Sequence, residues 1–513
     1  MKINYAALLD ITSIQKFIFQ SNQLKENLGA SFLIEKKVFN DYLSDVLKNK
    51  EYKVGYIGGG QALLFFEDKQ TAEDFIYDWT LLLLIKIPGL VTNFAITEFD
   101  ENHFQACMDK LKKILEDNKS FFIPKTAIPA HGITAECPQS SLTCDVYNDT
   151  IKKYVSSSTN AKITASKEAK NSINDEYNDI LDNRYCFTNQ LEKLGQIKDK
   201  DSHIAIVHID GNDIGNRFRK CKTLEDTTLL SESLKEAVKN AFSKVLKETV
   251  NDYEKIIKSL GFDPTFKNTK RYPPIDEDSK KLIIPIRPII MGGDDITFVC
   301  DGKLGLYFTK QFIEEFEKQN ISRQLPLSAC AGIAIIKSKY PFYRAYKMAE
   351  DLCSLAKKKR KDDQSTCSYI DFHIASSETT GNINYIRNHY YSVPQGNLLY
   401  RPYRINSKSD NDNYDEYSFN LFIENTKAFN ESLPNNKKHE LRKILTLSKD
   451  AGMQFVKEMK YRKIDLPIIK GRNYEQLLFE NMISPYFDMI ELAEYYPDFI
   501  IGKYNSQARR QNL

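Results

Sequence analysis

The chain of 513 residues is short of several things that would betray a function. It has one tryptophan, seven histidines and nine cysteines, and no two cysteines form a CxxC pair. An odd count without such pairs argues against a zinc ribbon and against a secreted disulfide framework. Only Cys137 and Cys144 share one loop-like stretch, ECPQSSLTC, and two thiols make half a metal site. The histidines offer neither an HExxH helix motif nor a His-Asp dipeptide. No apolar run approaches the ~18 residues that span a bilayer, and LLLLI at 81–85 is broken by Lys86 and Pro88. The opening MKINYAALLDITSIQ lacks the h-region and cleavage site of a signal peptide. The expectation is a reduced, cytoplasmic protein with no membrane partner. Charge of one sign is also missing: 72 Lys and Arg against 69 Asp and Glu leave +3. Bulk charge therefore attracts no nucleic acid, and any phosphate chemistry must come from local sites.

What is present is an ordinary globular composition, 42% hydrophobic and 27% charged. The length predicts roughly three to four domains. Two stretches repeat one order of elements. The first opens with YAALLDI, an apolar run closed by Asp10, as in a buried strand. A segment with Ala30, Phe32, Leu33, Val38, Phe39 and Leu43 near helical spacing follows. In KVGYIGGGQALLFFE two apolar runs then flank Gly58, Gly59, Gly60 and Gln61, which reads as a hairpin turn. A helix over 71–87 and a strand over 91–97 complete the unit. The second stretch opens with HIAIVHIDGND, continues with a helix over 227–260, and reaches RPIIMGGDDITFVCDG, another glycine-led hairpin. A helix over 304–319, a strand over 327–336 and a helix over 342–358 follow. Strand, helix, hairpin, helix, strand is the order of a split βαβ, ferredoxin-like unit. The predicted class is α+β, with a first unit over 1–125, a polar surface helical linker over 126–200, a second unit over 201–375 and an α-helical domain over 376–513. Helices are expected in that last part at 420–429, 439–459 and 474–495.

The chemistry concentrates in the second unit. Asp210 ends a strand, and Asp294 and Asp295 sit in the hairpin turn. In a ferredoxin-like sheet those ends lie side by side, so three carboxylates converge. Such a cluster is costly without a cation. Oxygen ligands of this kind suit Mg²⁺ or Mn²⁺. A two-metal site would activate a ribose 3′-hydroxyl and stabilise departing pyrophosphate. Gly292 and Gly293 let phosphate oxygens approach the backbone. Asp213, in DGND, reads either as a further metal or ribose contact or as a helix cap. Lys357 reads either as a cation folded back toward a triphosphate or as part of a solvated basic helix end. The first unit has Asp10 but no carboxylate in its Gly58-Gly59-Gly60-Gln61 turn. It should be catalytically dead while still admitting a nucleotide at its glycines.

The segments DITSIQKFIFQSNQLKENLGASFLIE, YIGGGQALLFF, IDGNDIG and MGGDDITFVC resemble the large subunit of type III CRISPR effector complexes, the Cas ten family, in its Cmr-type branch. RPYR at 401–404 and ESLPNNKKHELRKIL at 431–445 are similar to that family's C-terminal helical domain. The resemblance implies two cyclase/polymerase-type palm domains. The second would make a cyclic oligoadenylate second messenger from ATP in antiviral defence, and the first would bind another ATP. It implies Asp210, Asp294 and Asp295 as metal-binding catalytic carboxylates, Gly292 and Gly293 as motif glycines, and Lys357 as a phosphate contact. Two departures stand out. The chain starts at the first palm with no His-Asp motif, so DNA cleavage by that route is not expected. The inter-palm zinc site of the family is reduced to Cys137 and Cys144. The implied partners are ATP and other CRISPR subunits with crRNA and target RNA, or a homo-oligomer if the chain works alone. A non-catalytic scaffold subunit is the competing reading. A diguanylate cyclase fits less well, because the turn is GGDD and the palm is doubled.

Overall fold

The computed structural model describes residues 3–121, 132–194, 202–263, 265, 272–319, 321, 326–375, 382–405, 417–469 and 472–495. The first unit runs β1 (Tyr5–Thr12), α1 (Leu24–Phe32), β2 (Lys53–Gly58), β3 (Gln61–Phe66), α2 (Lys69–Lys86), β4 (Val91–Glu98) and α3 (Phe104–Ser120). After α4 (Ser157–Glu176), the second unit runs β5 (His203–Gly211), α5 (Leu224–Asn251), β6 (Ile286–Gly292), β7 (Asp295–Asp301), α6 (Gly305–Glu317), β8 (Ala329–Lys337), α7 (Phe342–Asp362) and β9 (Ser368–Ile374). The tail adds β10 (Tyr403–Ile405) and helices beginning with α8 (Phe419–Ser432).

The first sheet has the order β2-β3-β1-β4 and the second β6-β7-β5-β8-β9-β10. The four strands common to both are antiparallel neighbours in the ferredoxin-like order. Each central strand is apolar on both faces because both faces are covered. Ala7 and Leu9 of β1 pack with α1 and α2, while Ala6 and Leu8 pack with Phe104, Met108 and Leu111 of α3. In β5, Ile204 and Ile206 face α7, and Ala205, Val207 and Ile209 face α5 and α6. The α7-covered face of the second sheet belongs to the same core as the first unit. Phe19 stacks on Tyr346 there, with ring centroids 3.8 Å apart.

The contact between units is reciprocal. β2 carries a register shift between Val54 and Tyr56, and β6 carries one between Pro288 and Ile290. At each shift a helix of the other unit donates a hydroxyl: Thr228 of α5 to the Gly55 carbonyl, and Ser31 of α1 to the Ile289 carbonyl. The units are thus related by an approximate two-fold arrangement, hairpin against hairpin.

Several expectations need correction. The segment read as a polar surface linker contains α4, whose Ser158, Thr159, Lys162, Ile163, Ala165, Ser166 and Ala169 are buried. It lies so close to α1 that a Cβ on Gly29 would stand 1.9 Å from the Lys162 carbonyl oxygen. Lys162 donates to the Phe17 carbonyl (2.7 Å) and to Gln20 (3.2 Å). Small polar residues permit that approach, and their polarity disguised it. The tail does not stand apart either. β10 extends the second sheet through β9, and Phe419, Phe422 and Tyr486 join the second unit's core. The helix expected over 227–260 ends at Asn251, with Tyr253–Ser259 following. The helix expected over 439–459 is two, Asn435–Ile444 and Lys449–Tyr461, the second capped by Ser448. The one over 474–495 is Tyr474–Leu477 and Tyr486–Tyr495, interrupted before Pro485. Parts of the expected linker and of the 376–513 region lie outside the described residues.

Candidate active site at the facing hairpins

The hairpin ends bring the acidic residues together by register. Asp295, the first residue of β7, pairs directly with Asp210 of β5. In the first unit Gln61 pairs with Asp10 at the equivalent place. The turns themselves face each other: a Cβ on Gly293 would have the Gly59 amide nitrogen as its neighbour, at 3.9 Å.

Asp294 owes its place to a glycine. A Cβ on Gly211 would stand 2.8 Å from Ile214 and 3.1 Å from the Asp294 Cβ. The first unit has the opposite arrangement. Ile11 occupies the position of Gly211, and Gly60 that of Asp294. A Cβ on Gly60 would meet Ile14 at 1.9 Å, on a backbone with φ +60 to +75 over Gly59 and Gly60. One junction has room for a turn carboxylate and the other does not.

The electrostatics single out Asp294. Burial and then the neighbouring Asp210 carboxylate push its pKa from 3.8 up to about 6, with a further push from Asp295. Asp210 is ion-paired to Lys357, Nζ to Oδ2 at 2.5 Å. Burial opposes the charge on Lys357, but Asp210 outweighs it and the lysine pKa is raised. Asp295 Oδ2 accepts from Gln15 Nε2 at 3.1 Å, a contact from the first unit. Asp295 Oδ1 lies 3.3 Å from Nδ1 of buried His208, yet neither atom has a partner in hydrogen-bond geometry. Burial disfavours the imidazolium of His208, and the Asp295 carboxylate reverses that, raising its pKa.

The expected convergence of three carboxylates on a cation is not formed as such. Among the described residues no group of three His, Cys, Asp or Glu side chains is arranged to hold a metal ion. Lys357 and Gln15 engage two of the acids instead. The donor set nevertheless fits a hard cation: two carboxylates in register, a third with its charge disfavoured, and an orphaned buried oxygen, Asp295 Oδ1. Lys357 holds Oδ2 of Asp210, so Oδ1 is the oxygen of that carboxylate left for a cation. Asp213 is not brought to this group. It sits at φ 61 before the helix Ile214–Arg219, makes no side-chain cap, and receives Arg360 at 2.6 Å. Among the described residues Cys137 and Cys144 gain no further metal ligand; Cys137 is buried, donating to Gln139 Oε1 at 3.2 Å.

The degenerate unit repeats part of this wiring. Asp10 receives Gln61 Nε2 at 2.7 Å and Thr12 at 3.1 Å, and pairs with Lys119 at 2.8 Å. Lys119 ends α3 as Lys357 lies toward the end of α7, each helix following the fourth strand of its unit.

Two cavities flank the touching turns. One of about 430 Å³ is lined by Tyr56, Gly58, Gly59, Gln61, Lys112 and Arg219, among others. The other, about 900 Å³, reaches Gln15, Gly58 to Gly60, Asp210 and Gly292 to Asp295. Both fall in the usual size range of small-molecule sites. Sequence reasoning missed Gln15, His208 and Arg360. His208 was accessible to it, two residues before Asp210 on the same strand face.

Fold and site together define a doubled palm with one acidic and one degenerate turn. Residues 203–365 match the family described as Cas10/Cmr2, second palm domain. No curated protein matches the sequence. Among solved structures, a Csm1-Csm4 cassette in complex with cA4 is similar at 11% identity and TM-score 0.48, over 96% of this chain and 70% of that one. A cassette in complex with pppApA gives 11% and 0.48, over 96% and 69%. The apo cassette gives 12% and 0.42, over 71% and 54%. The chain thus spans between about half and about seven tenths of the chains it is similar to.

Proposed function

We propose that this chain is a metal-dependent nucleotidyltransferase that joins ATP into a cyclic oligoadenylate. A ribose 3′-oxygen bonds to an α-phosphorus, the bond to pyrophosphate breaks, and the hydroxyl proton leaves to solvent. The observation that carries this reading is the register of Asp210 opposite Asp295, with Asp294 beside them in a turn that meets the glycine turn of the first palm between two cavities. Asp210, Asp294 and Asp295 would hold Mg²⁺ or Mn²⁺, which when bound would activate the hydroxyl and stabilise the leaving pyrophosphate.

The remaining work falls to the chain's own groups. Gly292 and Gly293 leave the turn backbone open, since a Cβ on Gly292 would meet nothing within 4 Å. Lys357 would pass from Asp210 to a nucleotide phosphate. Gly58 and Gly59 would admit the second nucleotide in the cavity beside Tyr56 and Gln61, while Gly60 lines the other cavity. Asp213 would contact ribose only after release from Arg360. Adenine is taken from the family resemblance. The same resemblance supports a cytoplasmic effector complex with crRNA and target RNA, in CRISPR-type defence, as the setting. The scaffold reading has one observation in its favour, the engagement of Asp210 by Lys357 and of Asp295 by Gln15. The register of Asp210 against Asp295 and the disfavoured charge on Asp294 beside them favour the enzyme.

Mass spectrometry of products from mixed nucleotides with Mg²⁺ or Mn²⁺ tests the proposal. It is run on the purified chain and on any complex it forms with co-expressed neighbours. Cyclic adenylates are expected from wild type and none from Asp294→Ala plus Asp295→Ala. Equal yields from both would overturn the assignment.

A further inference from the structure

Five residues line both cavities: Gly58, Gly59, Gly293, Asp294 and Lys235. Four belong to the facing turns. The fifth is a lysine in the middle of α5, a second-palm helix that lies against β2 of the first palm. The crossing is tied by two hydrogen bonds. Thr228 Oγ1 donates to the Gly55 carbonyl, and Lys235 Nζ donates to the Ile57 carbonyl. Ser231 Oγ and Lys235 Nζ would stand 3.3 and 4.0 Å from a Cβ on Gly58.

Lys235 differs from the paired cations of this region, and it shares the lack of a carboxylate partner, among the described residues, with Lys16, Lys112, Arg219 and Arg287, each of which lines one cavity only. Lys357 is paired to Asp210, Lys119 to Asp10, Arg360 to Asp213, and Lys36 and Lys239 to Glu176. Among the described residues no carboxylate forms an ion pair with Lys235, and Glu35 and Glu232 act on it only through space. An ammonium has three donors. One is engaged by the Ile57 carbonyl, which leaves two at the wall between the cavities.

We propose that Lys235 is a phosphate-binding residue shared by the two cavities, contacting the phosphates of the donor nucleotide on one side and of the acceptor on the other. The inference rests on the nucleotidyltransferase reading above. It extends that reading to a residue outside both sheets and outside the acidic turn. A compact cation there balances phosphate charge at the point where the two nucleotides meet, and exchanges no proton.

Calorimetric titration of the full chain with a non-hydrolysable ATP analogue and Mg²⁺ provides the test. Wild type should take up two equivalents. Lys235→Ala should weaken both, each by about tenfold, as expected for loss of a charge-assisted hydrogen bond. Lys235→Gln keeps a donor for the Ile57 carbonyl but no charge. It should bind as weakly as Lys235→Ala while melting with wild type, and Lys235→Arg should recover much of the affinity. Lys112 lines one cavity only, so Lys112→Ala should weaken one equivalent. If wild type binds two equivalents and Lys235→Gln binds both as tightly, the shared role of Lys235 fails and the enzyme reading stands. If only one equivalent weakens, Lys235 serves a single site and the shared role also fails. If wild type binds no analogue, both readings fail together.

Discussion

Asp294→Asn should stabilise this protein, increasingly so as the pH rises. The carboxyl has its pKa raised from 3.8 to about 6 by burial and by Asp210. The folded state therefore binds a proton more tightly than the unfolded chain, and stability falls as pH increases through that window. A change from 3.8 to about 6 corresponds to about 3 kcal/mol against folding once the group is fully ionised, from 1.36 kcal/mol per pH unit. Roughly half of that is already present at pH 5, and nearly all of it by pH 8. Asp294 is partly accessible to solvent, so about 2 kcal/mol is the working figure. Asparagine keeps the shape and removes the charge.

The assay is thermal unfolding of wild type and Asp294→Asn in chelator-containing buffer between pH 5 and pH 8. The variant should melt a few degrees higher at pH 8, at roughly 2–4 °C per kcal/mol for a cooperative unit the size of the second palm. Its advantage should be about half as large at pH 5. Added Mg²⁺ should raise the melting temperature of wild type more than that of the variant, because a cation relieves the repulsion that asparagine has already removed. An advantage that is constant across the range, or a variant less stable than wild type at pH 8, would refute the electrostatic account of the turn.

Two further perturbations probe what surrounds the site. Gly60→Asp should not install a second acidic turn: its Cβ would meet Ile14 at 1.9 Å, so a loss of about 1–3 kcal/mol in stability is expected, read as a lower melting temperature, with no new Mg²⁺ dependence. Arg401→Ala should loosen the tail. Arg401 is buried between Asp488 and Glu491, and its removal leaves two buried carboxylates unpaired, at about 3–5 kcal/mol; limited proteolysis should then cut the tail helices first.

The sheets and their hairpins were legible in sequence because local signals agree with the final environment. YAALLD and HIAIVHID are largely apolar on both faces and end in an acid, and the structure covers both faces. The glycine turns fixed the register, which then placed Asp210 opposite Asp295. Less was legible where an element depends on distant contacts. The segment after α1 looked helical, but its buried pairs Leu33 and Val38, and Ile34 and Phe39, are five apart. That is the repeat of the π-helix Leu33–Asp41. β10 is three residues long and recognisable only by its pairing, while β9, which carries polar Ser368, Asp371 and His373 on a buried strand, owes its place to its parallel pairing with β8. Gln15 and Asp295 lie 280 residues apart, so no spacing within either motif could connect them. Lys235 was hidden in the same way, as one of several lysines on a long amphipathic helix.

What separates an acidic palm from a degenerate one is narrower than the motif GGDD suggests. The strand-end aspartate and its lysine occur in both units, as Asp210 with Lys357 and Asp10 with Lys119. That pair therefore belongs to the fold and does not by itself mark chemistry. The difference lies at two other positions. Asp295 is replaced by Gln61, whose amide donates a hydrogen bond to Asp10 where a second carboxylate would repel it. Asp294 is replaced by Gly60, and the space its side chain would need is taken by Ile14, beside Ile11 at the position of Gly211. The glycine of IDGND is thus a space requirement for the first aspartate of GGDD, although the two are more than 80 residues apart in the chain. Removing acids from a turn needs only substitution within the turn. Ile214 stands beside Asp294 at the position equivalent to Ile14, so restoring the acids to the first palm would need Ile11 above all to change, and the degeneracy of that palm is built into its core.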